Sequence, residues 1–153
     1  MGPNGLLVAF VCNHCPYVVA IAQRLGEDAK TLKSLGINTV AIMSNDPHDY
    51  PADAPEHMQP FAEHYGWDFP YLIDTDQSVG RAYGAVCTPD FFGYNRDFGL
   101  QYRGRLDDAG MGDASARVPE LVTAMTQIAE TGAGPQAQTP SMGCSIKWSR
   151  TPT

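Results

Sequence analysis

The sequence predicts an α/β fold, a central mixed β-sheet flanked by helices, and three observations carry that prediction. A continuous apolar run, Leu6 to Val11, is followed by a segment of helical periodicity and then by a second apolar run, Ile37 to Met43. Two further strand-like runs flank the turn chemistry of Asn95-Arg96-Asp97-Phe98-Gly99. A last amphipathic segment places Val118, Leu121, Val122, Met125, Ile128 and Ala129 on one helical face. Strand, helix and strand at the first spacing make a right-handed βαβ unit, and the later hairpin supplies the remaining strands.

Leu6 to Val11 has no polar alternation, the pattern of a strand buried on both faces. From Pro16 onward Val18, Ala22, Leu25, Ala29 and Leu32 recur at three and four, which predicts a helix. Gly36 stands where a left-handed end is needed. Ser44 to Pro55 carries three prolines among Asp and Asn residues and reads as a loop. Glu56 to Tyr65 is a short helix closed by Gly66, Phe69 to Ile73 a strand, and Gln77 to Tyr83 one or two helical turns ending at Gly84. Leu100 to Arg103 returns the hairpin, and Ala114 to Thr131 is the final helix. Gly132 to Pro140 reads as a linker. The remaining stretch holds Met142, Cys144, Ile146 and Trp148, too apolar for a solvated tail. The chain thus divides into a domain over 1–131 and a linker with a docking tail over 132–153. A strand or hairpin is expected to precede residue 1.

With 153 residues the chain is long enough to bury a core without staples. Its net charge of −7 argues against a nucleic-acid or anionic-membrane footprint. The acidic residues are scattered and read as solvating the surface. The longest apolar run is far too short to span a bilayer, and no leader peptide is legible, so a cytoplasmic compartment is the expectation. Four cysteines stand at 12, 15, 87 and 144. One close pair in a well-sized domain suggests redox or metal chemistry rather than a disulfide framework.

Cys12-Asn13-His14-Cys15 lies where the first strand gives way to the first helix. Thiols react as thiolates, and a helix N-terminus favours negative charge. Cys12 is therefore read as an exposed attacking thiol, and Cys15, one helical turn later, as a shielded resolving thiol that closes a ring back onto it. His14 can add positive charge or a hydrogen bond to the thiolate, and Pro16 is tolerated in a first turn. The competing readings are packing cysteines or half of a zinc site, but no second close pair of ligands follows. Thr88-Pro89, taken alone, is a proline between loop and strand, ordinarily trans.

The run Cys12 to Val18, with Ser44-Asn45-Asp46, Phe69-Pro70-Tyr71-Leu72, Thr88-Pro89-Asp90-Phe91-Phe92, Tyr102 to Asp108 and Gly143 to Trp148, resembles the redoxin branch of the thioredoxin superfamily. That group is related to alkyl-hydroperoxide reductase and thiol-specific antioxidant proteins. The resemblance implies a thioredoxin-like fold, a nucleophilic Cys12, a resolving Cys15, and a cis-Pro89 that with Thr88 offers backbone to an extended substrate. It implies a thiol–disulfide oxidoreductase with no bound cofactor, exchanging with protein or small-molecule disulfides and dithiols. The peroxidase pattern P-x-x-x-[TS]-x-x-C is missing, with Gly5 and Ala9 at its Pro and Thr positions counted from Cys12. Arg103 or Arg105 could polarise a peroxide, but nothing supplies the hydroxyl. A thiol peroxidase is thus the second enzyme reading. A copper- or other metal-holding module, with Cys87 replacing a distant histidine, is a third, and a fold kept for protein interaction a fourth.

Cys87, two residues before the proline, is a candidate third redox partner or a small core residue. Cys144 is a candidate resolving or capping thiol, or filler beside docking Ile146 and Trp148. Tyr17 and Phe91 border a groove or fill the core, and Trp67 packs. Arg105, Asp107 and Asp108 read as a solvated charged turn, and His48, His57 and His64 as facing solvent.

Overall fold

In a computed structural model describing residues 3–149, the first apolar run becomes the middle of the sheet. β1 (Gly5–Phe10) pairs in parallel with β2 (Ile37–Met43) and antiparallel with β5 (Asp90–Tyr94). β3 (Tyr71–Ile73) extends the sheet beyond β2, and β6 (Leu100–Gly104) beyond β5, giving the order β3-β2-β1-β5-β6. The long helix α1 (Pro16–Ser34) makes the βαβ crossover. α2 (Pro55–His64), α3 (Ser78–Tyr83) and α4 (Glu120–Thr131) complete the layers. The mixed sheet flanked by helices is the architecture that the patterning predicts.

β1 shows why its apolar run is unbroken. Leu7 and Ala9 face the layer of α1 and α4, with Leu25, Phe91, Leu121 and Met125. Val8 and Phe10 face the opposite side, with Ala85, Phe92 and Ile146. α3 is too short to cover that second face alone. Ile146 from the far end of the chain completes it, and Trp148, beneath the Arg81 guanidinium at 4.4 Å, packs against the same cluster.

Three local differences from the sequence reading have physical causes. The last helix starts at Glu120 rather than Ala114, because Pro119 stands at its N-cap and has no N–H to continue the helix from an earlier turn. Before it, Arg117 is drawn inward to Asp28 at 2.6 Å and to Asp107 at 3.2 Å. Asp107 is therefore buried rather than solvated, and it also meets Arg24 at 3.4 Å. Asp28, Asp53, Asp74 and Asp90 are buried as well, so part of the acidic content is structural. Finally, 132–140 is not a free tether. Gln138 accepts the Arg103 N–H, Thr139 accepts the Arg105 N–H, and both lie along the β6 edge. This path leads to an unexpected strand, β7 (Cys144–Ser145), antiparallel to the two-residue β4 (Cys87–Thr88). The expected segment before residue 1 and the tail beyond Ser149 lie outside the described residues.

Candidate active site

β1 ends at Phe10, and the chain crosses from sheet to helix through Cys12-Asn13-His14-Cys15. Pro16 opens α1, so Cys15 is its N-cap and Cys12 stands three residues further out. The Cys12 sulfur nonetheless turns back toward the helix, where it accepts the Cys15 N–H at 3.3 Å. The Thr88–Pro89 peptide bond is cis, and Thr88 meets both sulfurs. Its hydroxyl lies 3.5 Å from Cys12 Sγ, and its carbonyl oxygen lies 3.4 Å from Cys15 Sγ, which donates to it. All four cysteines are free thiols.

The exposed attacking thiol expected from the spacing is corrected here: Cys12 and Cys15 are both 0% exposed. Two segments cover them. On one side the helical turn Pro51–Asp53 brings in Asp53, itself fully buried. Its carboxylate accepts the Asn13 N–H at 2.7 Å and the Asn45 side-chain amide at 3.0 Å. His14 Nδ1 lies 2.5 Å from Asp53 Oδ2, off hydrogen-bond geometry, and the ring stacks on Tyr50. Cys12, His14 and Asp53 each place one polar atom within 4.8 Å of the others. On the other side β7 lies against β4, with Cys144 opposite Thr88.

Asn45 joins the two covers. Its amide nitrogen donates to Asp53, and its oxygen accepts the Lys147 N–H at 2.8 Å. Gln77, held at a left-handed φ of 62°, donates to the Lys147 carbonyl and accepts the Ser149 N–H. Asp53 and Gln77 were not legible as site residues. Asp53 comes from a stretch whose composition reads as loop and Gln77 from the start of an expected helical turn. Only the fold brings Asp53 beside Cys12 and Gln77 onto the tail at Lys147 and Ser149.

The two sulfurs titrate as a pair. Hydrogen bonding from Cys12 lowers Cys15 to about 4 against the cost of burial, and contacts from Cys144 and the Val18 backbone assist. The same bond, then burial, drives Cys12 well above the ordinary thiol range, and the Asp53 carboxylate adds to the rise. One proton is thus shared, and both placements have partners. With the charge on Cys15, Cys12 donates to it. With the charge on Cys12, the Cys15 N–H and Thr88 hydroxyl support it while Cys15 donates to the Thr88 carbonyl. Burial leads the rise of Cys87 and of Cys144, each to about 11.

The other singled-out residues fall outside this centre. Cys87 sits one position before Thr88 on β4, so strand alternation turns it to the opposite face, where it lines a pocket with Val86, Asp90 and Arg103. Arg103 is held by Asp90 and Arg105 by Glu120. Tyr17 and Pro89 line an apolar cavity of about 400 Å³ with Leu106 and Met142. Phe91 is core, and Trp67 is buried with its indole N–H on the Ala22 carbonyl. His48, His57 and His64 are exposed. Cys12, His14 and Asp53 could serve as metal ligands, a set that does not use Cys87. No helix among the described residues is long and apolar enough to cross a membrane.

Residues 2–108 match the model of the AhpC/TSA family. A hypothetical protein from Sinorhizobium meliloti is 41% identical over 98% of this chain and 82% of its own, with a TM-score of 0.91. An uncharacterized conserved protein from Geobacillus kaustophilus is 40% identical over 99% of this chain and 80% of its own, also at 0.91. A secreted Mycobacterium tuberculosis disulfide oxidoreductase homologous to E. coli DsbE superposes with a TM-score of 0.60 at 18% identity, over 82% of this chain and 81% of its own. That likeness concerns the thioredoxin-like fold alone. No curated protein matches.

Proposed function

The chain belongs to the AhpC/TSA family, with a thioredoxin-like fold, and we propose that it acts as a thiol–disulfide oxidoreductase through Cys12 and Cys15. The observation that carries this reading is the contact of both sulfurs with Thr88, which seats the dithiol against the Pro89 loop.

In the proposed cycle Cys12 passes its proton to the Cys15 thiolate and, now the thiolate itself, attacks one sulfur of a disulfide. The Cys12–substrate bond forms, the substrate S–S bond breaks, and the departing thiolate takes up a proton. Cys15 then attacks Cys12 Sγ, the ring closes, and the second substrate thiolate leaves. The substrate gains two electrons and the dithiol loses two, and an external dithiol returns them. Asp53 lies against the His14 ring beside Cys12, so the three stand in the order nucleophile, base and carboxylate. The groove beside Pro89 and Tyr17 would take apolar parts of a protein or small-molecule substrate. Engagement of Arg103 by Asp90 and of Arg105 by Glu120 weighs against peroxide cleavage at Cys12.

The test is insulin reduction with dithiothreitol as electron source. Cys12→Ser is expected to lower the rate by about a thousandfold or more, since no other thiol forms the first mixed disulfide. Turnover within twofold of the unaltered chain would remove the reading.

A further inference from the structure

The cycle above leaves one sulfur beside the dithiol unused. β7 pairs with β4 so that Thr88 and Cys144 stand directly opposite each other. Opposed residues of an antiparallel pair project to the same face, with Cβ atoms about 5 Å apart. Thr88 sends its hydroxyl to Cys12 Sγ, so Cys144 projects toward the dithiol too. Consistent with this, Cys144 packs against the core cluster that contains Cys12 and Cys15, and its thiol and backbone both interact with the Cys15 sulfur.

Placement of that strand is built in. A Cβ on Gly143 would collide with the Thr88 carbonyl, so only glycine lets the chain approach β4 this closely. Past Cys144 the backbone is held at Ile146, Lys147 and Ser149. The Ile146 N–H donates to the Val86 carbonyl, the Lys147 carbonyl accepts the Asp46 N–H, and Asn45 and Gln77 clamp Lys147 and Ser149 from the side. Ile146 is buried in the second cluster. The edge of Thr88, which would otherwise pair with an extended substrate, already carries a strand of this chain, and that strand presents a thiol.

We propose that β7 is an internal substrate of the dithiol and that Cys144 is a third redox cysteine, exchanging with Cys15. This rests on the disulfide-exchange reading of Cys12 and Cys15. Once those two are bridged, the Cys144 sulfur attacks Cys15 Sγ. The Cys144–Cys15 bond forms, the Cys15–Cys12 bond breaks, and Cys12 leaves as a thiolate that takes up the proton Cys144 gave up. No electrons enter or leave; the bridge moves one sulfur along. Cys12 is then free beside His14 and Asp53 for a second attack, and β7 is covalently pinned across the substrate edge. Cys87 is the built-in control, since its strand position turns it away and opposes it to Ser145.

The experiment is disulfide mapping of the full chain after one equivalent of diamide, with thiols blocked in acid and trypsin applied without reductant. Cys12 and Cys15 fall in peptide 1–24, Cys87 in 82–96 and Cys144 in 118–147. In Cys12→Ser the expected result is a link between 1–24 and 118–147 in most molecules, with 82–96 unlinked. In the unaltered chain the same link is expected in about a tenth or more of the oxidised protein, as for two couples of similar potential. A Cys12→Ser chain that stays a free thiol, or that links Cys15 to 82–96, overturns the proposal. If insulin reduction still depends on Cys12 in that case, the disulfide-exchange function stands while Cys144 loses its role. Activity that survives Cys12→Ser overturns both.

Discussion

The two segments that cover the dithiol are built on different physics. The 50–53 side is electrostatic: a fully buried carboxylate accepts from the Asn13 backbone and the Asn45 amide and meets the His14 ring. The tail side is a backbone ladder capped by apolar burial, with β7 on β4, Ile146 in the second core cluster and Trp148 under Arg81. A charged cover biases where the proton of the pair resides, and an apolar cover decides whether anything large reaches the sulfurs. Asn45 bonds to both, so a shift of one cover is felt by the other.

The largest effect tests the electrostatic side. Asp53→Asn leaves His14 without its partner and replaces an acceptor of several donors, a loss of about 4 kcal/mol in urea unfolding. The same change removes the negative charge that helps push Cys12 up, so iodoacetamide labelling of Cys12 should extend to lower pH. Loss of stability without that shift would break the assignment of Asp53 to the dithiol.

Next comes the apolar side. Ile146→Ala deletes a side chain 4% exposed and should cost about 3 kcal/mol of tail docking. Because a tail can open without global unfolding, maleimide labelling of Cys15 and Cys144 in the native protein should quicken about a hundredfold, with Cys87 unchanged. Equal acceleration at Cys87 would mean global loosening and deny the tail its role as cover.

A smaller effect sharpens the register. Gly143→Ala must push β7 off the Thr88 carbonyl, an overpacking cost of about 2 kcal/mol, read as faster exchange of the Ile146 amide with deuterium. Exchange unchanged there would show that the close approach is dispensable.

A separate test, at the dithiol itself, is pH. The ionisation of Cys15 in the reduced folded chain is lowered to about 4 from the ordinary 9.0, mainly by the Cys12 hydrogen bond. A depressed value contributes stability that is complete above 9 and is lost as pH falls through 4. The raised Cys12 opposes this only above 9. The Tm of the dithiol form relative to the disulfide form should therefore climb from pH 4 to pH 9, and a flat difference would deny the shared proton.

Cys12, Cys15, His14, Thr88 and Pro89 were legible because neighbouring residues in a strand-to-helix junction need no distant partner to be recognised, and because ordered motifs resemble a known family. Asp53 and Gln77 were not, since a polar loop and the first residue of a short helix look like many others until a buried partner is specified. Cys12 was read as exposed because nothing local to a CxxC reports what folds over it.

Local rules, then, determined the βαβ unit, the hairpin and the position of the sulfur pair, since periodicity and turn chemistry act over a few residues. Only the tertiary structure decided that the pair is buried, that a carboxylate forty residues on lies beneath it and that Cys144 stands opposite Thr88. Those facts depend on strand register and on the packing of Ile146 across the sheet, and a contact between distant residues leaves no periodic mark in the chain.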